Sequence, residues 1–435
     1  MTEGSIAKNI ILFYIPLAIG GLFQQLYSFV DSVVVGRGIG AQALAAVGAT
    51  SIVVWLTLGF AMGLTRGFCI HISQAYGKKD YHLVNRGFFV ASVLSLIVGA
   101  MISIVGSLAI RDFLILMHTP GEILEQSLDY IKVILLGFVI TVLNNLFMSV
   151  LQSLGDSSTP FWALLVSSVT NIGLDCVFVL TLKWGVQGAA AATVLSQVFS
   201  FAICAAGLKK LKFVSILDGS KSKNARLTVR MLKTGLPVGI MSMVTSAVAA
   251  YAASTKIRSV IGEFSNALGM TFMTFVGQNY GAQKYDRIKA GVRMGVLLSI
   301  LIHIPLSAVE IFGGKRIASL MVTDPPVLEL CRQYLLIVGI FVFFLGFLMV
   351  FRNCIQGMGN TWIPMLSGGL EVFSRLIFGY WLGRHSFMGI AAAEASAWIS
   401  VSIMLGSSFF ILFRKVLRTQ TPENTTDTKN IRTVS

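Results

Sequence analysis

From about residue 10 to residue 413 the sequence runs as apolar stretches, most near 20 residues or longer, separated by short polar loops. A helix of about 20 residues spans roughly 30 Å, the thickness of a bilayer's hydrocarbon core, and only lipid can dissolve ten or more of them in one chain. Composition agrees: 55% of the 435 residues are hydrophobic and 12% charged, where a soluble domain carries about a quarter charged residues. A soluble enzyme is excluded.

Apolar periods and breakers predict spans at 10–35, 43–72, 87–110, 124–151, 160–183 and 187–208. After a basic stretch come a short span at 231–246, then 247–277, 288–312, 327–355, 362–383 and 388–413. The expectation is an all-α membrane protein of about 12 transmembrane helices. The net charge of +15 comes from basic residues that cluster in loops, so it reads as orientation under the positive-inside rule, not as a nucleic-acid surface. The clearest cluster is Lys209, Lys210, Lys212, Lys221, Lys223, Arg226, Arg230 and Lys233, expected to be cytoplasmic. Arg414, Lys415 and Arg418 precede a Thr-rich tail too polar to fold. Both termini are therefore expected inside a multi-pass cell-membrane protein. The start, MTEGSIAKN, leads into a stretch too long for the h-region of a cleavable signal peptide.

Catalytic chemistry finds no footing. Cys69, Cys176, Cys204, Cys331 and Cys354 stand singly in apolar stretches, and His71, His82, His118, His303 and His385 are scattered; no metal-ligand spacing links them. AYGKKD around Gly77 lacks the preceding Gly and the Ser/Thr of a phosphate-binding loop. Lys78, Lys79 and Arg86 beside it read as topology and lipid-head contact.

An internal repeat organises the chain. Gln74, Tyr76, Gly77, Tyr81 and Gly87 recur 204 residues later as Gln278, Tyr280, Gly281, Tyr285 and Gly291, and Gln152, Gly155 and Pro160 recur as Gln356, Gly359 and Pro364. The stretch ALAAVGATS from Ala43 matches AVAAYAAST from Ala247 at the same offset. Two halves of six spans each share one orientation and are related by an axis along the membrane normal, which suits a carrier with a cleft between two lobes. The expected division is a first lobe at 1–208, a basic linker at 209–230, a second lobe at 231–413 and a polar tail at 414–435. The register breaks once. Pro16 pairs with Pro237 at an offset of 221, so the second half lacks 17 residues near its first helix. What remains, Met231 to Ser246, is about 24 Å as a helix, and a stunted span is expected there.

FVDSVVVGRGIG around Asp31, ISQAYGKKD, LQSLGDSSTP, NIGLD, GVQGAAAATVLSQ, TFVGQNYGAQKYDRI, FRNCIQGMGN and LSGGLEVFSRLIF, in this order and spacing, resemble the MATE (multidrug and toxic compound extrusion) transporters of the MOP superfamily. The resemblance covers nearly the whole chain except the gap and the tail. It implies export of organic, often cationic, compounds by antiport with Na⁺ or H⁺, without ATP or another cofactor.

Carboxylates in hydrocarbon cost at least ~2.5 to 3.5 kcal/mol, so those that persist have a partner or a task. Asp31 is roughly 7 Å from the outer end of the first span, and Asp175 about 12 Å from the outer end of the fifth, four residues after Asn171 on one face. Thr193 is about 9 Å into the sixth from the same side. Two carboxylates, an amide oxygen and a hydroxyl suit Na⁺, and two carboxylates in low dielectric also suit a shared proton; a structural hydrogen-bond network is the other reading. The resemblance assigns the coupling cation to Asp31, Asn171, Asp175 and Thr193. In the second half, Glu371 and Arg375 form an i,i+4 pair, and Arg352 and Asn353 match the family's FRN. Glu394 and Arg66 depart from the family's pattern and either line the cleft or pair locally. Gln24, Tyr27, Gln152, Glu371, Arg375 and Glu394 are the residues offered for the substrate cleft, in a chain expected to work as a monomer in contact with lipid. Two alternatives stand beside drug export. A lipid-linked glycan flippase of the wider superfamily would need an Arg-rich cleft and often extra helices. A decayed, transport-impaired paralogue would explain the missing 17 residues.

Overall fold

The computed structural model describes residues 1–117, 119–211, 213–215, 218–219, 224–251, 256–313, 316, 325–383 and 387–418. Lys212, Lys221, Lys223 and the Thr-rich tail from 419 lie outside them, as do the side chains of Tyr27 and Cys331. Among the described residues every regular element is helical.

The first half comprises α1 (Ile6–Gly38), α2 (Ala41–Gly77), α3 (Tyr81–Leu116), α4 in two arms (Gly121–Leu136 and Phe138–Ser153) that meet at 48°, α5 (Ser158–Asp175, continued by a π-helical turn Cys176–Thr181) and α6 (Gly185–Lys210). The second comprises α7 (Ala225–Tyr251), α8 (Lys256–Gly281), α9 (Tyr285–Ala308, with a π turn Val309–Gly313), α10 (Pro325–Gly357), α11 (Trp362–Gly383) and α12 (Phe387–Arg418). These are twelve spans in two sets of six. Among the described residues, eight are long and apolar enough to cross a membrane by length and composition alone, and the bent α4 makes a ninth. Charged side chains interrupt the described parts of the other three: Arg226, Arg230 and Lys233 in α7, Glu263 in α8, and Glu371 and Arg375 in α11.

The repeat extends to backbone conformation. Lys79 and Gln283, 204 apart, adopt φ of 60° and 58°, and Gly155 and Gly359, also 204 apart, adopt 94° and 90°. Positive φ costs a side chain about 1–2 kcal/mol and glycine little, so its recurrence at matching positions shows that equivalent helix pairs are joined by equivalent turns.

The missing residues are distributed differently from the expectation. α7 is shorter than α1, 27 residues against 33, but it is not a stub over 231–246. It begins six residues earlier, takes in Arg226 and Arg230 from the basic stretch, and continues to Tyr251, about 40 Å at 1.5 Å per residue. Counted from the shared proline, α7 ends 14 residues beyond Pro237 where α1 ends 22 beyond Pro16. Ala41, the first residue of α2, maps to position 245, yet α8 starts at Lys256. The facing ends of α7 and α8, around the turn between them, are therefore cut back, and the rest of each helix keeps its register.

Each half has its own core, but the first helices reach across. Ile10 of α1 is buried in the cluster formed by α8, α9, α10 and α12, while Met231 of α7 is buried in the cluster formed by α2 to α6. The lobes also meet along α2 and α7 with glycines facing glycines. A β-carbon on Gly67 would collide with Cα of Gly235, one on Gly63 with Ser242 and the carbonyl of Val238, and one on Gly239 with the Phe60 ring. Gly63/Gly67 and Gly235/Gly239 each have the spacing that lets two membrane helices touch backbone to backbone.

Candidate functional site

Asn171 and Asp175 lie one turn apart on α5, 1% and 0% exposed, against the half-buried Asp31 of α1. The Asp31 and Asp175 carboxyl groups lie close enough to act on each other electrostatically. Local sequence explains the fit. Gly38 lets the end of α1 lie against Val179 and Leu180 in the π turn that follows Asp175, where a β-carbon would clash. That wide turn, closed by Leu182 N–H donating to the Val177 carbonyl at 2.8 Å, is a departure from α geometry that is common at functional sites.

One turn outward from Asp31 and Asp175 are Val35 and Val179, buried together with Val186, Ala189 and Ala190. This apolar plug separates the carboxylates from the end of the lobe formed by the α1–α2 and α5–α6 turns. Beneath it Asp31 Oδ1, both side-chain atoms of Asn171 and both carboxylate oxygens of Asp175 are buried with no hydrogen-bond partner among the described residues. Leaving such atoms unmatched costs about 1–3 kcal/mol each, more when charged. The donor set, hard oxygens with up to two negative charges, fits a small cation or a shared proton. Thr193 is half-buried on α6 and its hydroxyl donates to the Ala189 carbonyl of its own helix at 3.1 Å. No hydrogen bond joins it to either aspartate among the described residues, although its oxygen can still accept.

Glu371, Arg375 and Glu394 are drawn together inside the second lobe. Glu371 accepts from Arg352 at 2.9 Å and pairs with Arg375 at 3.1 Å; Arg375 continues to Glu394 at 3.2 Å. Tyr334 donates to Glu394 at 2.6 Å and Arg352 to Ser367 at 3.2 Å. The two guanidinium and two carboxylate groups balance, as buried charges must. None of the three residues lines the small cavity between the lobes.

Gln152 does line that cavity, with Arg66, Ser73, Ser153, Met270 and Thr274. Its volume is about 10 Å³, room for one water at most, so the cleft is shut at this depth. Gln24 is half-buried in α1, but the neighbouring Gln25 makes the contact across the lobes, donating to Glu263 of α8 at 3.2 Å over Gly21. Arg66 faces Glu263 electrostatically from α2, which pairs a residue that stood out in the sequence with one that did not. Nothing in the pattern of α8 marks Glu263, a lone acid in a polar helix.

On the face that carries the chain start, the basic stretch and the end of α12, called the basic face below, the lobes are sealed by the repeated motif itself. Gln74 donates to the Gly357 carbonyl at 3.1 Å, and Gln278 donates to the Ser153 carbonyl at 2.9 Å. Because 153 and 357 also differ by 204, the two bonds are images of one another. Gly77 and Gly281 permit it: a β-carbon on either would collide with the backbone of the opposite glutamine, Gln278 or Gln74. Residues 1–5 lie across one side of the seal, where Arg287 donates to the Gly4 carbonyl at 2.8 Å and Lys284 to that of Thr2 at 2.9 Å. The repeat offset pointed to both glutamines in the sequence, but not to what they hold.

Two lobes of six helices, joined across a shut cleft and carrying a shielded carboxylate pair in one of them, define a membrane transport protein. The MatE family pattern matches the chain twice, over residues 16–177 and 230–381. The chain belongs to the MATE transporter family. It is similar to the probable multidrug resistance protein YoeA of Bacillus subtilis, 27% identical over 90% of this chain and 92% of that protein. YpnP of the same organism, also described as a probable multidrug resistance protein, is 27% identical over 94% and 93%. Among solved structures, a multidrug resistance MATE transporter in its outward-facing conformation shares the fold at a TM-score of 0.88 and 23% identity, over 95% of this chain and 97% of that one.

Proposed function

We propose that this chain is a Na⁺- or H⁺-coupled antiporter that exports organic, often cationic, compounds across the cell membrane, with both termini in the cytoplasm. The observation that carries the reading is the buried group of Asp31, Asn171 and Asp175, in which Asp31 Oδ1, the Asn171 amide and both Asp175 oxygens have no hydrogen-bond partner among the described residues and lie behind an apolar plug. A cation or proton entering there satisfies charges that the protein leaves unmatched. Thr193, a turn below the plug on the adjacent helix, is offered as a fourth oxygen. Each monovalent cation moving down 100 mV supplies about 2.3 kcal/mol, enough to hold roughly a 50-fold substrate gradient.

The basic-face seal supports alternating access. With positive residues inside, the sealed state is closed to the cytoplasm, and separation of Gln74 from Gly357 and Gln278 from Ser153 opens the cleft on that side. The names of the relatives support drug export as the task. One chain holds both lobes, so a monomer suffices. An α7 of 27 residues, shorter than α1 but long enough to cross the hydrocarbon, weighs against the decayed-paralogue reading, which a stunted helix had motivated.

Purified protein in liposomes, loaded with ethidium and given a Na⁺ or pH gradient, tests the proposal. The native chain should move dye only with a gradient, and Asp31→Asn and Asp175→Asn should each lower the driven rate at least about tenfold, the loss of a charged partner worth at least ~1.4 kcal/mol. Driven transport that survives both substitutions unchanged refutes the coupling role.

A further inference from the structure

On the basic face is a second cavity, of about 460 Å³, to which transport assigns no task. It lies among the start of α7 (Arg230, Lys233, Thr234), the turn at 358–361, Trp362 opening α11, and Leu412 and Val416 near the end of α12, with His71 of α2 and Tyr280 of α8 closing the side towards the first lobe. Most of these are near helix ends, at the level where a membrane helix leaves hydrocarbon for headgroups. Arg230 and Lys233 are three residues apart and so share one face of α7. Both are exposed, and neither forms an ion pair among the described residues. Trp362, 60% exposed, has the residue type and position of an interfacial anchor.

The internal repeat supplies an independent comparison. By the proline register the positions matching Arg230 and Lys233 are Asn9 and Leu12, and by the 204 offset Asn360 matches Asp156. Asp156 accepts from Ser158 N–H and Thr159 N–H, both at 2.9 Å, and Asn360 does similar work neutrally, accepting from Ile363 N–H at 3.2 Å. The turn chemistry is thus preserved while the charge at these three positions changes from −1 in the first half to +2 in the second. The cationic character belongs to this cavity and not to the repeat.

We propose that this cavity binds the phosphate of an anionic phospholipid, with Arg230 and Lys233 on the headgroup and Leu412, Val416 and Trp362 along the acyl chains. The volume is that of a small-ligand site, and basic pockets between helix ends at the membrane surface suit such headgroups. Free phosphate offers the same chemistry without the chains.

Native mass spectrometry of the intact protein, titrated with phosphatidylglycerol and separately with phosphatidylcholine, tests this. The native chain should retain one tightly held phosphatidylglycerol. At about 1 kcal/mol per basic residue, the double substitution Arg230→Gln, Lys233→Gln should weaken it about 30-fold, or about 2 kcal/mol at 1.4 kcal/mol per tenfold. Asn360→Asp, which restores the turn acid of the first half, should weaken it about fivefold. Phosphatidylcholine binding should be unchanged in both variants. Addition of millimolar inorganic phosphate separates the sources: displacement of the lipid assigns the site to phosphate in either form, and persistence assigns it to the lipid. Equal retention of the two lipids by the native chain, or tight phosphatidylglycerol in both variants, overturns the proposal.

Discussion

Replacing Gln74 and Gln278 by alanine tests whether the basic-face seal controls access to the cleft. Each glutamine makes one hydrogen bond across the lobes, at 3.1 and 2.9 Å, and each such bond is worth about 1 kcal/mol net. One substitution should therefore move the equilibrium between sealed and open states about fivefold towards open, and both together about 30-fold, or about 2 kcal/mol. The repeat makes the prediction sharper than its magnitude alone, because bonds that are images of each other should count equally. Spin labels at His82 and Asp286, exposed positions 204 apart on either side of the seal, report the lobe separation in a variant without the five cysteines. Double electron–electron resonance should show a longer-distance population that grows by similar factors in the two single variants and multiplies in the double one. A folded double variant with the native distance distribution would refute the reasoning. So would one single variant carrying the whole effect, since the seal would then rest on one side.

Two further outcomes follow from packing and charge. Glu371→Gln leaves Arg352 and Arg375 buried without their shared carboxylate and should destabilise the second lobe by about 3–5 kcal/mol, read as a lowered thermal unfolding midpoint in detergent; an unchanged midpoint would show that the pair of guanidinium groups is satisfied elsewhere. Gly67→Ala drives a methyl group into Cα of Gly235 and should cost about 1–3 kcal/mol by forcing the helices apart, whereas Gly48→Ala, in the same helix and meeting nothing within 4 Å, should not lower the unfolding midpoint and should raise it slightly, by up to about 1 kcal/mol of stability.

How much the sequence determined follows from the range of the forces involved. The spans are legible because solvation by lipid is decided by local hydropathy: predicted boundaries such as 362–383 coincide with α11. The repeat is legible because each half meets the same membrane, and equivalent turns such as Lys79 and Gln283 need the same backbone. Asn171 and Asp175 share a face by helical period alone, and their polarity in an apolar stretch marks them. The extent of α7 was not legible from hydropathy, because Arg226 and Arg230 look like linker until their helix finds α2 to pack against. Which helices meet was decided only in three dimensions. Glu263 with Gln25, Gln74 with Gly357, and Gly67 with Gly235 are partners more than 160 residues apart, brought together by close packing between lobes that no local pattern encodes. Hydropathy, being a property of neighbours in the chain, set the elements; contact between distant surfaces, which depends on shape, set the seal and the sites.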